Sequence, residues 1–192
     1  VQICTGHVFL DGVDVSRAPA HRRARLGMNR TFQRLEVFGS MTTRDNILTA
    51  AEISARAHRR PLRDAVAVTD DIVDLLGLSD IAGNRADALP TGQARLVELG
   101  RALATSPKVV LLDEPASGLD EQESVRLADV LTGLTERGTA LLLVEHDVDL
   151  VMRLCSDIYV LDFGEVIAHG NPEEIRGDTK VQDAYLGAVA VS

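Results

Sequence analysis

The chain has 192 residues, a length that suits one domain, or one core that carries an inserted lobe. Its composition, 45% hydrophobic and 26% charged, is ordinary for a globular protein. Its formal net charge of −9 argues against a general nucleic-acid-binding protein, which needs a basic face. Apolar runs stay well short of the roughly 18 residues that span a bilayer, and no signal-peptide pattern opens the sequence.

The first predicted elements are a β-hairpin and a short basic helix. Residues 7–15, "HVFLDGVDV", alternate apolar and polar side chains around Asp11-Gly12, which is typical of a hairpin. Residues 22–33, "RRARLGMNRTFQ", predict a basic helical turn that runs into a short strand ending at Gln33. Residues 42–78 then show helical periodicity in two segments separated by Pro61, which indicates an inserted helical lobe.

Strands and helices alternate over the second half of the chain. The predicted order is a helix in residues 89–107 ended by Pro107, strand 109–113, helix 121–138 ended by Gly138, buried strand 140–147, helix 148–155 and hairpin 158–170 around Phe163-Gly164. Continuous apolar strands that alternate with helices indicate a parallel sheet covered on both faces. Cys4 and Cys155 offer neither a disulfide framework nor a paired metal motif, which favours buried, reduced thiols in a cytosolic protein.

Acidic residues and a histidine follow two of the predicted strands. Asp113 and Glu114 end "VVLLDE", and His146 ends the next strand, at the sheet edge where open α/β sheets bind ligands. A magnesium–nucleotide site uses one such acid to hold the metal and a second to polarise water. The alternative is that any buried strand can end in Asp-Glu for solubility.

The neighbouring motifs are each ambiguous when taken alone. "LPTGQ", residues 89–93, opens a helix, so its free amides suit a phosphate, although such a turn is also a common helix cap. Ser117-Gly118-Leu119-Asp120 is consistent with a simple turn in which Asp120 caps the following helix. His146 is also explained as a satisfied strand-end histidine, and Gln33 alone carries no information.

Taken together and in this order, these motifs resemble the nucleotide-binding domain of ABC transporters. "TFQ" matches the Q-loop, "LPTGQ" the signature motif, "VVLLDE" the Walker B strand with its glutamate, "SGLD" the D-loop and "LLLVEHD" the H-loop strand. The resemblance implies an α/β, P-loop NTPase-like core with a mostly parallel sheet, an N-terminal antiparallel β-hairpin and an inserted α-helical subdomain. It places the core in residues 1–37 and 105–192 and the helical subdomain in residues 38–104.

The resemblance also implies a role for each matching residue, with ATP and Mg²⁺ as cofactors. Asp113 would hold Mg²⁺, Glu114 would be the general base, His146 would contact the γ-phosphate, and Gln33 would touch Mg²⁺ or the attacking water. The implied working unit is a dimer with a second ATP-binding subunit, identical or different. The nucleotide bound by that second subunit would be contacted by Leu89, Pro90, Thr91, Gly92 and Gln93. Asp120 would communicate across the dimer. The implied setting is the cytoplasmic face of the inner membrane, peripherally bound to transmembrane permease subunits and without nucleic acid.

Two features depart from the family pattern. Pro90 and Thr91 stand where the signature usually has Ser and often Gly, so one phosphate contact is lost or moves to Thr91. No G-x-x-x-x-G-K-[ST] occurs, because Lys108 follows Pro107 and Lys180 follows Thr179. We expect the natural protein to be longer by several tens of residues at or near its N-terminal stretch. The alternatives are a true truncation and a non-hydrolytic module that binds a membrane or ATPase partner.

Within the family, residues 25–51 and 141–188 look most like the ATPase subunits of branched-chain amino-acid importers, with lipopolysaccharide-export ATPases as the alternative. An ABC-type ATPase acting on ribosomes or nucleic acid is a further alternative, disfavoured by the acidic charge. The resemblance suggests that Leu35, Phe38 and Met41 line the groove for the membrane subunit; the other interpretation places them in the core of the lobe.

Overall fold

A computed structural model of the protein describes residues 5–32 and 35–186. The chain divides into two compact units, Val1–Val144 and Glu145–Ser192. The first unit contains a small hairpin, a three-stranded parallel sheet and the long helices; the second contains a hairpin with short helices. The predicted α/β class, the parallel sheet and the N-terminal antiparallel hairpin are confirmed.

The N-terminal hairpin pairs β1 (Phe9–Leu10) with β2 (Val13–Asp14). Its two turn residues, Asp11 and Gly12, have φ angles of +49° and +75°. Two successive left-handed residues define a turn whose twist matches that of the flanking strands, and Asp-Gly suits it because both residues tolerate positive φ. The basic helical turn that follows is α1 (Ala20–Arg25).

The parallel sheet has the order β3 (Met28–Arg30), β4 (Val109–Asp113) and β5 (Ala140–Val144). The central strand, β4, buries Val110 and Leu112 completely or nearly so. Asp113 pairs in register with Val144, so the carboxyl ends of β4 and β5 lie side by side.

Two strand predictions are corrected by the structure. The strand predicted to reach Gln33 ends at Arg30, although the amide of Thr31 still donates to the carbonyl oxygen of Leu111 at 2.9 Å. The strand predicted as buried over residues 140–147 ends at Val144, and Leu142 and Val144 are 59% and 58% exposed. The physical reason is that, within the described residues, β5 pairs with β4 alone and forms an edge of the sheet.

The predicted helical region forms α2 (Thr43–Ala57) and α3 (Leu62–Leu75), which pack with α4 (Thr91–Leu103). Thr42 caps α2 by accepting a hydrogen bond from the amide of Asp45 at 3.0 Å. Gly100 brings α4 close to α2, since a Cβ atom there would lie 2.9 Å from a methyl group of Ile47. α4 ends at Leu103, before the predicted stop at Pro107.

Helix α5 (Glu121–Glu136) joins β4 to β5 and buries Leu127 and Leu131. Asp120 starts it with a capping box, in which the Asp120 carboxylate accepts from the amide of Glu123 and the Glu123 carboxylate accepts from the amide of Asp120. Gly138 follows the helix with φ of +87°, as its predicted role requires.

The second unit consists of α6 (Val148–Leu154), the antiparallel pair β6 (Ile158–Asp162) and β7 (Glu165–Gly170), and the short helices α7 (Pro172–Gly177) and α8 (Thr179–Val181). Ile158, Ile175 and Val181 form its core. Cys155 packs against this core and is half-buried, and burial raises the pKa of its thiol. None of the helices in the described parts of the chain combines the length and the apolar character of a membrane span.

Candidate functional site

The two predicted acids lie at the carboxyl end of the central strand. The amide of Glu114 donates to the carbonyl oxygen of Val144 at 2.9 Å, which extends the ladder between β4 and β5 by one residue beyond the strands. Glu114 itself has φ of +46°, a left-handed conformation that is uncommon for a residue with a side chain. Residues held in this region concentrate at functional sites.

Residues of the neighbouring strand complete the surroundings of Asp113. Its amide is 3.5 Å from the hydroxyl oxygen of Thr31, and its carboxylate oxygen Oδ2 is 3.8 Å from Nη2 of Arg30. The guanidinium group of Arg30 stacks on the ring of Phe32 at 4.4 Å. Sequence reasoning missed Arg30 and Thr31; the signal available was their position at the end of the strand that pairs in parallel with β4.

The turn of residues 89–93 starts α4. Pro90 is the N-cap residue and forms no side-chain cap hydrogen bond, so the hydroxyl usual in the family signature has no substitute at this position. Gly92 is buried under the Glu123 side chain. A Cβ atom at position 92 would lie 2.6 Å from the carboxyl carbon of Glu123. Leu89 and Gln93 are half-buried, whereas Pro90 and Thr91 are exposed.

The structure brings this turn together with the "SGLD" turn of the same unit. Gly118 has φ of +80°, and a Cβ atom there would lie 3.3 Å from the methyl carbon of Thr91. Asp120 caps α5, which confirms the capping interpretation of this residue. Sequence reasoning also missed Glu123, and the signal for it was its place three residues after a capping aspartate.

The structure tests neither His146 nor Gln33 as a member of this group. His146 belongs to the second unit, two residues beyond the end of β5, with a side chain that is 72% exposed. Its Nδ1 lies 3.7 Å from Oε2 of Glu145, and its amide donates to the same oxygen at 3.1 Å. Gln33 lies outside the described residues. The convergence of His146 and Gln33 on Asp113 therefore stays a prediction.

A buried carboxylate on α4 was also missed. Glu98 is 6% exposed and accepts a hydrogen bond from the amide of Phe32 at 3.3 Å. Burial raises its pKa, an effect that outweighs the hydrogen bond and the nearby Arg95. Burial likewise lowers the pKa of Arg101. The signal was a glutamate next to Val97 and Leu99 with arginines three residues before and after it, because residues three apart are neighbours on a helix.

Comparison with known proteins places this geometry in a family. Residues 2–117 match the family described as ABC transporter, and residues 165–191 match the family described as branched-chain amino acid ATP-binding cassette transporter.

Two curated relatives match nearly the whole chain. A high-affinity branched-chain amino acid transport ATP-binding protein of Pseudomonas aeruginosa is 35% identical, over 95% of this chain and 76% of its own length. A lipopolysaccharide export system ATP-binding protein of Haemophilus influenzae is 33% identical, over 95% of this chain and 74% of its own length.

Two solved structures of ATP-binding cassettes have the same fold as this chain. The nucleotide-free structure of an ATP-binding cassette from an ABC transporter superposes with a TM-score of 0.79 at 26% identity, covering 96% of this chain and 78% of that one. The ADP conformation of an ATP-binding cassette superposes with a TM-score of 0.77 at 25% identity, covering 97% of this chain and 79% of that one.

The chain therefore belongs to the ABC transporter family, as the type of subunit that binds and hydrolyses ATP. ATP and Mg²⁺ are the cofactors of this family, as the sequence predicted.

The residues around Asp113 fit a magnesium ion held in part by the nucleotide. Among residues 5–32 and 35–186, no group of three or more His, Cys, Asp or Glu side chains is arranged to hold a metal on its own. Mg²⁺ is commonly bound by one or two carboxylates, with water and substrate phosphate oxygens as its other ligands. The Asp113 carboxylate is 40% exposed at the sheet edge, so it suits that minimal role.

Proposed function

We propose that the catalytic site of this ATPase lies where β4 and β5 end. Asp113 holds the Mg²⁺ of the bound nucleotide and Glu114 is the general base that takes a proton from the attacking water. His146 contacts the γ-phosphate, and Gln33 touches the metal or the water. The observation that carries the proposal is the left-handed conformation of Glu114, held by its hydrogen bond to Val144, at the end of a strand whose last residue is Asp113.

The test is steady-state ATP hydrolysis by the protein with its transporter partners. Glu114→Gln removes the base and keeps the side-chain shape, so we expect turnover to fall by at least about a hundredfold. Asp113→Asn should raise the Mg²⁺ concentration needed for activity. Glu136→Gln, at the exposed end of α5, is the control for loss of one acidic charge. Equal turnover in wild type and Glu114→Gln would exclude this site and favour the non-hydrolytic module.

The working unit that we propose is a dimer of ATP-binding subunits on transmembrane permease subunits, at the cytoplasmic face of the inner membrane. Residues 89–93 of one subunit contact the nucleotide of the other, and Asp120 lies near the same seam. In support, Pro90 and Thr91 are exposed at the start of α4, a helix long enough to present amides and a positive dipole end.

Within each subunit we propose that residues 38–104 form the helical subdomain and that Phe38 contacts the permease. Phe38 is 45% exposed, and its ring stacks on the guanidinium group of Arg101 at 4.3 Å. Its main chain hydrogen-bonds to the side chain of the buried Asn46. These contacts keep the Phe38 ring at the surface. Leu35 and Met41 are half-buried neighbours in the sequence. Phe38→Glu should abolish transport while ATP hydrolysis by the isolated subunit continues; normal transport would refute the contact.

The solute that we propose is branched-chain amino acids, taken up by the cell. Support comes from the match of residues 165–191 and from the name of the Pseudomonas relative. Lipopolysaccharide export is the rival, because a relative of that name has similar identity. A strain without the gene should lose uptake of labelled leucine and keep normal surface lipopolysaccharide; the reverse phenotype would favour the export function.

A further inference from the structure

The ring of Phe32 holds a cation beside the proposed magnesium ligand. The guanidinium carbon of Arg30 lies 4.4 Å from the ring centroid, and Nη2 of Arg30 lies 3.8 Å from the Asp113 carboxylate. A direct guanidinium–carboxylate hydrogen bond would be about 2.8 Å long. The two groups are thus close without being hydrogen-bonded, which leaves the carboxylate oxygens available for a metal.

The main chain of Phe32 is held at both of its polar groups by α4. Its amide donates to Oε1 of Glu98 at 3.3 Å, and its carbonyl oxygen accepts from Nη1 of Arg95 at 3.1 Å. Oε2 of Glu98 lies 3.8 Å from Nη1 of Arg95, so the two side chains support each other.

Both α4 side chains are well placed to hold Phe32 rigidly. The side chains of Arg95 and Glu98 are only 12% and 7% exposed, so packing has already removed most of their freedom. A hydrogen bond from a buried charged group is also stronger than one at the surface, because water does not compete for it. The main chain of Phe32, from which the ring extends, is therefore positioned by α4, and the ring stacks from there on Arg30.

We propose that Phe32, Glu98 and Arg95 are positioning residues that keep Arg30 from closing onto Asp113 and so set the affinity of the site for a divalent metal. The inference rests on the proposed function, because it takes Asp113 as the metal ligand. Without the ring, the guanidinium group of Arg30 is free to pair directly with the carboxylate and to compete with Mg²⁺.

The test measures binding of Mn²⁺, the probe for Mg²⁺, in the presence of a non-hydrolysable ATP analogue by electron paramagnetic resonance. Phe32→Leu should weaken Mn²⁺ binding about threefold, since a cation–π contact of this kind is modest. Glu98→Leu should weaken it about tenfold, since it removes the acceptor for the amide of Phe32 and the ion-pair partner of Arg95. Phe32→Tyr keeps the ring and should bind as wild type.

A double variant separates positioning from a general loss of structure. Adding Arg30→Gln to Phe32→Leu removes the competing cation, so Mn²⁺ binding should return to the wild-type level, which a merely disordered site would not do. Glu136→Gln, at the exposed end of α5, is the charge control. Unchanged binding in Phe32→Leu, or no recovery in the double variant, would overturn the inference.

The reference variant is Asp113→Asn. If Asp113→Asn binds Mn²⁺ as wild type, the proposed role of Asp113 is wrong and the positioning role falls with it. If Asp113→Asn loses Mn²⁺ while Phe32→Leu keeps it, the proposed function stands and only the positioning role is wrong. Hydrogen exchange of the peptide covering residues 28–32 supplies a readout without metal: Glu98→Leu removes the acceptor of the Phe32 amide and should speed exchange there, and unchanged exchange would contradict the contact.

Discussion

The amide of Glu114 is hydrogen-bonded to the carbonyl oxygen of Val144 at 2.9 Å while the Glu114 main chain occupies the left-handed region, with φ of +46°. This conformation costs a residue with a Cβ atom about 1 kcal/mol relative to glycine. The proposed general base therefore carries backbone strain that the neighbouring strand end holds in place.

The strain predicts a gain in stability on loss of the base. Glu114→Gly should raise the free energy of unfolding by about 1 kcal/mol relative to Glu114→Gln, because glycine adopts the left-handed conformation without penalty. Both variants should lose ATP hydrolysis. Denaturant unfolding of the two variants measures the difference, and a glycine variant less stable than the glutamine variant would show that the conformation is not strained.

The contact between Gly92 and Glu123 predicts that Gly92→Ala destabilises the protein. The added methyl group would meet the Glu123 carboxyl carbon at 2.6 Å, so the carboxylate must leave and give up its hydrogen bond to the amide of Asp120. Loss of this part of the capping box should cost about 1 kcal/mol, measured by chemical denaturation.

A glycine of α5 supplies the matched control. Gly133 lies inside the helix, and a Cβ atom there would have no neighbour within 4 Å. Gly133→Ala should therefore stabilise the protein by about 0.5–1 kcal/mol, the opposite sign to Gly92→Ala. Combining Gly92→Ala with Glu123→Ala should cost less than the sum of the single changes; strict additivity would show that the two residues do not interact.

The two interpretations of Asp120 are separated by a pair of substitutions. Asp120→Ala removes the side-chain acceptor of the α5 cap and should cost about 1 kcal/mol of stability. Asp120→Asn keeps an acceptor oxygen and should unfold close to wild type. If Asp120 also acts across the dimer through its charge, Asp120→Asn should lower ATP turnover at unchanged stability. Equal destabilisation by Asp120→Ala and Asp120→Asn would contradict the observed cap.

Glu98 predicts an unusual dependence of stability on pH. Burial raises its pKa above the ordinary value of 4.5, so the folded state holds this proton more tightly than the unfolded chain does. The stability associated with the protonated group is complete below pH 4.5 and is lost as the pH rises through the raised pKa. Wild type should therefore lose stability relative to Glu98→Gln as the pH rises above 4.5.

The measurement is the free energy of unfolding of both proteins across that pH window, with Glu136→Gln as the reference for removing one exposed acidic charge. If the stability of wild type relative to Glu98→Gln stays constant with pH, or increases as the pH rises, the folded state does not raise the pKa of Glu98.

The elements were predictable because their signals are local. The Asp11-Gly12 turn, the Asp120 cap and the end of β4 at Asp113 each follow from residue types a few positions apart, and each was confirmed. Exact ends were less predictable: α4 ends at Leu103, before the proline expected to stop it. A proline prevents a helix from continuing through its position but does not make the preceding residues helical.

Around the site, the sequence by itself determined the order of the motifs and the acids that follow β4, because ordered residue types along the chain are enough to specify both. Only the tertiary structure decided that Arg30 stands 3.8 Å from Asp113, that Glu123 covers Gly92 and that Glu98 is buried against Phe32. It also decided that Leu142 is exposed on an edge strand. These relationships join residues far apart in the chain, and they depend on which helix face and which strand edge pack together, information that no local pattern contains.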